Sequence, residues 1–265
     1  MRIQIMSNPK IIRLSPNPQD FGHIRDEVAS QQFASELPVQ HTHVYYENES
    51  LGLYIGVWDT STMVEAAGPS PCDEFMYLLE GEVEIKNSKT GTMEKVQAGE
   101  AFVIPKGYDC QWHQTGYLRK FFVISEHPDE EIPKTPVVEG IIKLKVDNSS
   151  QMAMQNSTGV DIEETKTPFV IKGKAPAQKY QPYYNDHTGN FMAGTWQSEA
   201  FKTEMQPSPR NEFIYLQSGS LIITEQEGDE QEFKAGDAFF VPQGALCSWR
   251  STGDVHTFYA ILQSS

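Results

Sequence analysis

The sequence predicts an all-β protein made of two tandem copies of one small barrel or sandwich domain. Three observations carry this reading. The chain repeats itself at a nearly constant offset, its β-favouring runs are short and turn-punctuated, and helical periodicity is scarce.

The repeat is the firmest of the three. Gly56-Val57-Trp58 corresponds to Gly194-Thr195-Trp196, and Tyr45-Tyr46 to Tyr183-Tyr184. Pro69-Ser70-Pro71-Cys72-Asp73-Glu74-Phe75-Met76-Tyr77-Leu78 corresponds to Pro207-Ser208-Pro209-Arg210-Asn211-Glu212-Phe213-Ile214-Tyr215-Leu216. All of these share an offset of 138, from Glu74 to Glu212. After Gly81 and Gly219 one residue is dropped. Ala98-Gly99-Glu100-Ala101-Phe102 then matches Ala235-Gly236-Asp237-Ala238-Phe239 at an offset of 137. Cys110 and Trp112 fall on Cys247 and Trp249 at that same offset. A shorter match, Ile11–Leu14 with Ile141–Leu144 at an offset of 130, suggests that each half carries its own N-terminal strand. The resulting division is residues 1–130 and 131–265, with repeat cores at 45–124 and 183–262. His127 to Pro136 reads as the linker, and Asn148 to Thr165 as a polar surface loop.

Strand formers dominate Phe75–Leu79 and Val83–Ile85. Ala101–Ile104 is a short apolar strand stopped by Pro105-Lys106-Gly107. Gln111–Gln114 and Leu118–Ile124 supply two more. Asp20 to Ala34 is the one stretch with a case for helix. Many short strands without helices mean a sandwich or a closed barrel.

Composition narrows the functional classes. The chain has 265 residues and a formal charge of −15, from 36 acidic and 21 basic groups. Such a surface repels phosphate backbones, which argues against nucleic-acid binding. No DNA-binding segment is recognisable either. No apolar run has the length of a membrane span, and the first residues lack a secretory apolar core, so the expectation is a cytoplasmic protein without membrane partners. Three cysteines, Cys72, Cys110 and Cys247, make neither a disulfide framework nor a Cys-x-x-Cys metal site.

Glu74-x6-Gly81 followed by Gly99-x5-Pro105-x-Gly107 resembles the paired motifs of the cupin superfamily, and Glu212-x6-Gly219 with Gly236-x5-Pro242-x-Gly244 repeats them. The wider wording resembles one subfamily, that of ureidoglycine aminohydrolase-like and ethanolamine-utilisation Q-like cupins. It comprises Gly-x-Trp, Asp/Asn-Glu-Phe-x-Tyr-Leu-x-x-Gly, Ala-Gly-Asp/Glu-Ala-Phe, Pro-x-Gly and a downstream Trp. The resemblance implies a bicupin of two antiparallel jelly-roll β-barrels, each with a small-molecule pocket at its mouth. It implies the fold more strongly than the reaction, since cupins host many chemistries.

The resemblance also implies where metal ligands would stand. The first-motif histidine positions hold Gly68 and Ser70, or Gln206 and Ser208, and the second-motif histidine position holds Cys110 or Cys247. A Glu and a Cys are a poor site for zinc, iron or manganese, so no cofactor is expected, with a divalent metal as the alternative. His41-x-His43 puts two rings on one strand face, as a metal site needs. It also reads as an edge-strand pair lying upstream of the motifs.

The remaining candidates for chemistry each admit two readings. Glu74 and Glu212 sit mid-strand in apolar runs, where burial would raise a carboxyl into the general acid/base range, or where they fix the barrel rim. Cys110 and Cys247 are nucleophiles or pocket lining. Lys120 sits where the subfamily commonly shows a lysine aimed at the motif Glu, or it snorkels on the surface; the second half has Thr257 there. Trp58, Trp112, Trp196 and Trp249 are aromatic walls for a ligand or barrel core. Met76 and Tyr77 belong to the same motif strand, and both count among the expected substrate contacts. Arg210, in the place of Cys72, binds a carboxylate or is a surface charge. Three functions follow: a metal-independent hydrolase, isomerase or deaminase using Glu74 as acid/base, a small-ligand binding module, or a structural bicupin. Homo-oligomerisation through sheet faces is compatible with all three.

Overall fold

The computed structural model describes residues 8–128, 131–132, 139–145 and 169–263. The loop expected over residues 148–165 and most of the expected linker lie outside them.

The chain forms two compact units. Of the described residues, the first comprises those within 14–145 together with 183–193, and the second comprises 8–13, 169–182 and 194–263. In the first unit one sheet of six strands runs in the order Ile142–Leu144, Ala101–Ile104, Asp73–Glu80, Leu118–Ser125, Leu53–Thr60, Gln40–Asn48. Its second sheet orders Met63–Val64, Asp109–Gln114, Glu82–Asn87 and Met93–Gln97, with Gly68–Pro69 also pairing on Asp109–Gln114. The second unit repeats this pattern strand for strand. Ile12–Leu14 takes the place of Ile142–Leu144 beside Ala238–Val241, and Asn211–Ser218 pairs with Val255–Leu262 as Asp73–Glu80 does with Leu118–Ser125. The predicted all-β jelly-roll architecture is present, with each repeat as two facing sheets rather than a fully closed barrel.

The two short matching strands are exchanged relative to the expectation from sequence. Ile12–Leu14 edges the sheet of the second repeat, and Ile142–Leu144 edges that of the first. Their likeness marks equivalent edge positions and not equal places in the chain. The suspected helix over residues 20–34 is also absent. Asp20 (φ 62°) and Gly22 (φ 88°) make a left-handed turn, and only Ser30–Gln32 forms one turn of 3-10 helix.

The motif glycine has a steric cause. Gly81 sits at φ +81°, and a Cβ there would lie 2.3 Å from the Tyr117 carbonyl oxygen. Gly219 repeats this at φ +83°, with its Cβ 2.2 Å from the Asp254 carbonyl oxygen. Only glycine fits a left-handed turn with backbone so close.

Between the sheets of the first unit lies a core of Met63, Met76, Leu78, Val83, Ile85, Val96, Phe102, Ile104, Tyr108, Trp112, Leu118 and Ile141. Trp58, Cys110 and Phe33 pack against it and remain partly exposed. Strand alternation sends Glu74, Met76 and Leu78 to this interior and Tyr77 to the other face. Among the described residues, no helix is long and apolar enough to cross a membrane.

Candidate functional site

Lys120 points into the first unit and is buried, so it does not snorkel. Its ammonium donates to Glu74 Oε1 at 2.8 Å and touches Met76 Sδ at 3.1 Å. It also lies over two indoles, 4.7 Å from the Trp58 ring centroid and 4.9 Å from that of Trp112. These rings meet edge to face, at 89° and 6.1 Å between centroids. The cation is thus held by one carboxylate and two π faces. The pair is not sealed, since 18% of the Glu74 side chain and 9% of the Lys120 side chain remain exposed.

A third ionisable group completes the cluster, and sequence reasoning missed it. Glu65 follows the short strand Met63–Val64; its amide donates to the Trp112 carbonyl at 3.0 Å, and its own carbonyl accepts from Gln111 Nε2. Burial pushes its carboxyl up to about 6, with the nearby Lys120 charge pulling down and Glu74 pushing up. The second repeat has Thr203 at the matching place, whose amide likewise donates to the Trp249 carbonyl. Setting the two repeats side by side there, as at Lys120 and Thr257, is the signal that would have found Glu65.

That shift has a measurable consequence. The folded protein favours neutral Glu65, so its contribution to stability is full below pH 4.5 and is lost as pH rises through about 6. One and a half units correspond to about 2 kcal/mol. Glu65→Gln removes the titration. Its stability relative to the parent should improve by about 2 kcal/mol between pH 4 and pH 7.5 in urea unfolding, whereas a constant difference would place Glu65 at its ordinary pKa.

The cysteines do not suit nucleophilic roles. Burial, with Glu65 and Asp109 adding to it, pushes the Cys110 thiol up to about 12. Burial pushes Cys247 up to about 11 despite a donated Trp249 N–H, and it raises Cys72 further. Thiols held protonated are weak nucleophiles and poor metal ligands. This favours the pocket-lining reading of Cys110 over the catalytic one.

The second unit uses the same strands differently. Thr257, in the place of Lys120, is fully buried. The cation comes instead from Arg210, whose Nε and Nη2 donate to the two oxygens of Glu212 at 3.2 and 3.1 Å. Burial opposes the Arg210 charge, but Glu212 and Tyr180 more than restore it. Arg210 is therefore a buried partner of the motif carboxylate and not a surface charge. Tyr180 stacks on Trp196 at 6.0 Å, and Phe201 meets the same indole at 5.5 Å. Trp249 packs on Phe169 and Phe239, and its N–H donates to Cys247 Sγ at 3.3 Å. In the first unit the equivalent Trp112 N–H is buried without an acceptor among the described residues, as is that of Trp196.

Both units therefore neutralise the motif glutamate with a built-in cation. The resemblance implies a divalent metal at this place, and the residues present do not fit one. The Lys120 ammonium already binds Glu74 Oε1, the Arg210 guanidinium binds both oxygens of Glu212, and cysteine stands where the second-motif imidazole would be, which leaves too few ligands of one kind for zinc, iron or manganese. His41 lies on the edge strand Gln40–Asn48 and pairs with Asp59 at 2.7 Å. His113 shares a hydrogen bond with Gln111, on the face opposite Trp112.

Two jelly-roll sandwiches with duplicated Glu and Pro-x-Gly motifs define a bicupin. The family model for the EutQ-like cupin domain matches residues 52–122 and 185–259, more than half of the chain, and the chain belongs to that family. Among solved structures it is similar to a DUF861-family protein of unknown function from Pseudomonas syringae, at 21% identity and a TM-score of 0.69, covering 96% of this chain and 99% of that one. It is also similar to a cupin 2 conserved barrel domain protein from Leptotrichia buccalis, at 10% identity, a TM-score of 0.56 and coverage of 86% and 90%. Protein Ylba from E. coli, another DUF861 member, gives 10% identity, a TM-score of 0.53 and coverage of 98% and 94%. No curated protein matches. At these identities the likenesses show the fold alone.

Proposed function

We propose that the first unit is a metal-independent acid/base site for a small polar metabolite, and that the second unit is its non-catalytic counterpart. The observation that carries this is the grouping of Glu65, with a carboxyl near pH 6, beside the part-exposed Glu74–Lys120 pair. A carboxyl with that pKa exchanges protons near neutrality, which a hydrolase, isomerase or deaminase requires. Lys120 supplies fixed positive charge against an oxygen that gains negative charge, and Glu74 holds it in place. The unpartnered Trp112 N–H offers a donor to a ligand carbonyl or carboxylate. Trp58 and Trp112 provide flat apolar walls, as small-molecule sites usually do. In the second unit Thr203 stands in the place of Glu65 and Arg210 binds both oxygens of Glu212, so no second carboxyl is set beside that pair, which supports a scaffolding role.

The test begins with ligand-observed NMR on the full chain with a panel of small amines, amides and carboxylates. Hits are then followed for turnover. Glu74→Gln should weaken binding at least tenfold, and Glu65→Gln should abolish turnover while leaving binding within a few fold. Ligand binding without turnover in the parent protein would instead support a binding module. No hit, with the Glu65 and Glu74 variants unchanged in all respects, would favour a structural bicupin.

A further inference from the structure

Away from that cluster, the first unit gathers Asp73, His127 and Asp186, whose ligand atoms all lie within 4.8 Å of one another. His127 Nε2 is 2.8 Å from Asp73 Oδ2 and 3.6 Å from Asp186 Oδ2. All three side chains are at least nine-tenths buried. We propose that this trio is a binding site for one divalent transition-metal ion of the zinc class.

Three observations argue for it. The first is orientation. Asp73 Oδ1 accepts from the Lys106 amide at 2.7 Å and from the Tyr184 hydroxyl at 2.5 Å, which leaves Oδ2 turned to His127. Asp186 Oδ1 accepts from the Phe191 amide at 2.9 Å, and its Oδ2, steadied by Thr188, turns to the same imidazole nitrogen. Ligating carboxylates are commonly fixed in this way by donors on their far oxygen.

The second is spacing. Zinc bonds to N and O of roughly 2.0–2.2 Å give ligand atoms about 3.3 Å apart on a tetrahedron. The two distances to His127 Nε2 bracket that value. One imidazole and two carboxylates also form a donor set that zinc-class ions accept, with a position left for water.

The third is an internal control supplied by the repeat. Asn211 stands in the place of Asp73, and its Oδ1 accepts from the Gln243 amide at 3.0 Å, as Asp73 does from Lys106. Asn48 stands in the place of Asp186, and its Oδ1 accepts from the Leu51 amide three residues on, capping its loop as Asp186 caps its own. The neutral amides do the same backbone work. The fold therefore does not require two negative charges here, and two buried carboxylates are unfavourable without a compensating cation. His127 also holds a left-handed backbone (φ 48°), uncommon for a residue with a side chain. A dication with a neutral imidazole balances the pair of charges.

The full chain, stripped with chelator and exchanged into pH 7.5 buffer, is titrated with Zn2+ by calorimetry and then with Co2+ by absorption. The expected result is one Zn2+ per chain at micromolar affinity or tighter, a rise in melting temperature on binding, and intense visible Co2+ bands of a tetrahedral site. Asp73→Asn and Asp186→Asn copy the second repeat, so they should fold, and each should weaken Zn2+ at least a hundredfold. His127→Gln should do the same, while His41→Ala should change nothing. Absence of saturable binding by the parent chain, or binding that survives Asp186→Asn and His127→Gln, would overturn the proposal and leave His127 as an ion-free bridge between two aspartates. If the variants fail to fold, the Co2+ spectrum decides, a weak octahedral spectrum being the contrary result. The outcome is independent of the Glu65–Glu74–Lys120 reading.

Discussion

Arg210→Met is expected to destabilise the protein by about 3–5 kcal/mol at neutral pH, the range for removing one partner of a buried ion pair. Arg210 and Glu212 are both nearly excluded from solvent, and the guanidinium satisfies both carboxylate oxygens. The loss arises mainly from stranding Glu212 and leaving Tyr180 without its cation. Adding Glu212→Met should therefore recover most of it, because replacing both members of a buried pair by apolar groups is often neutral. Urea unfolding of the single and double variants measures both. Equal destabilisation of the two would mean that the loss reflects packing around Arg210 and not charge.

The second large effect tests how the first unit neutralises its glutamate. Lys120→Thr installs the residue found at the same place in the second repeat. It should lower stability by about 2–3 kcal/mol, less than for Arg210 because Glu74 keeps some access to water. Both cation–π contacts go with it. Adding Cys72→Arg then supplies the cation from the same position as in the second repeat. The backbone supports the transfer. Ser70 Oγ donates to the Cys72 carbonyl at 2.8 Å, as Ser208 Oγ does to the Arg210 carbonyl at 2.9 Å, so the two residues leave the same turn in the same direction. The double variant should regain at least half of the lost stability while losing ligand binding, since the cation no longer lies between Trp58 and Trp112. No recovery would show that the two units do not solve the same charge problem.

These substitutions also show what the sequence could reveal. The duplication was legible because steric constraints recur: the left-handed turn at Gly81 and Gly219 and the buried strands at Ala101 and Ala238 leave few residue choices. The contrasts between Lys120 and Thr257 and between Cys72 and Arg210 were visible as isolated differences. Their relation was not, because the cation reaches the carboxylate from a neighbouring strand in one unit and from two residues upstream in the other. Only the pairing Lys120↔Leu78, which sets Lys120 beside the glutamate strand, makes them alternatives. Tyr77 shares the motif strand but has the opposite parity to Met76, so strand alternation turns it to the other face of the sheet. The exchanged edge strands and the Asp73–His127–Asp186 group were illegible for another reason. They join segments distant in the chain, whose meeting leaves no local pattern.

The four tryptophans, two in each unit at equivalent places, provide the most direct test of the central claim that the first unit, and not the second, holds the ligand site. In a 15N correlation spectrum of the full chain, each indole N–H gives one signal, assigned by single Trp→Phe variants. A metabolite hit should shift the Trp58 and Trp112 signals with a common saturation curve and leave those of Trp196 and Trp249 in place. Shifts confined to Trp196 and Trp249, or spread equally over all four, would contradict the account.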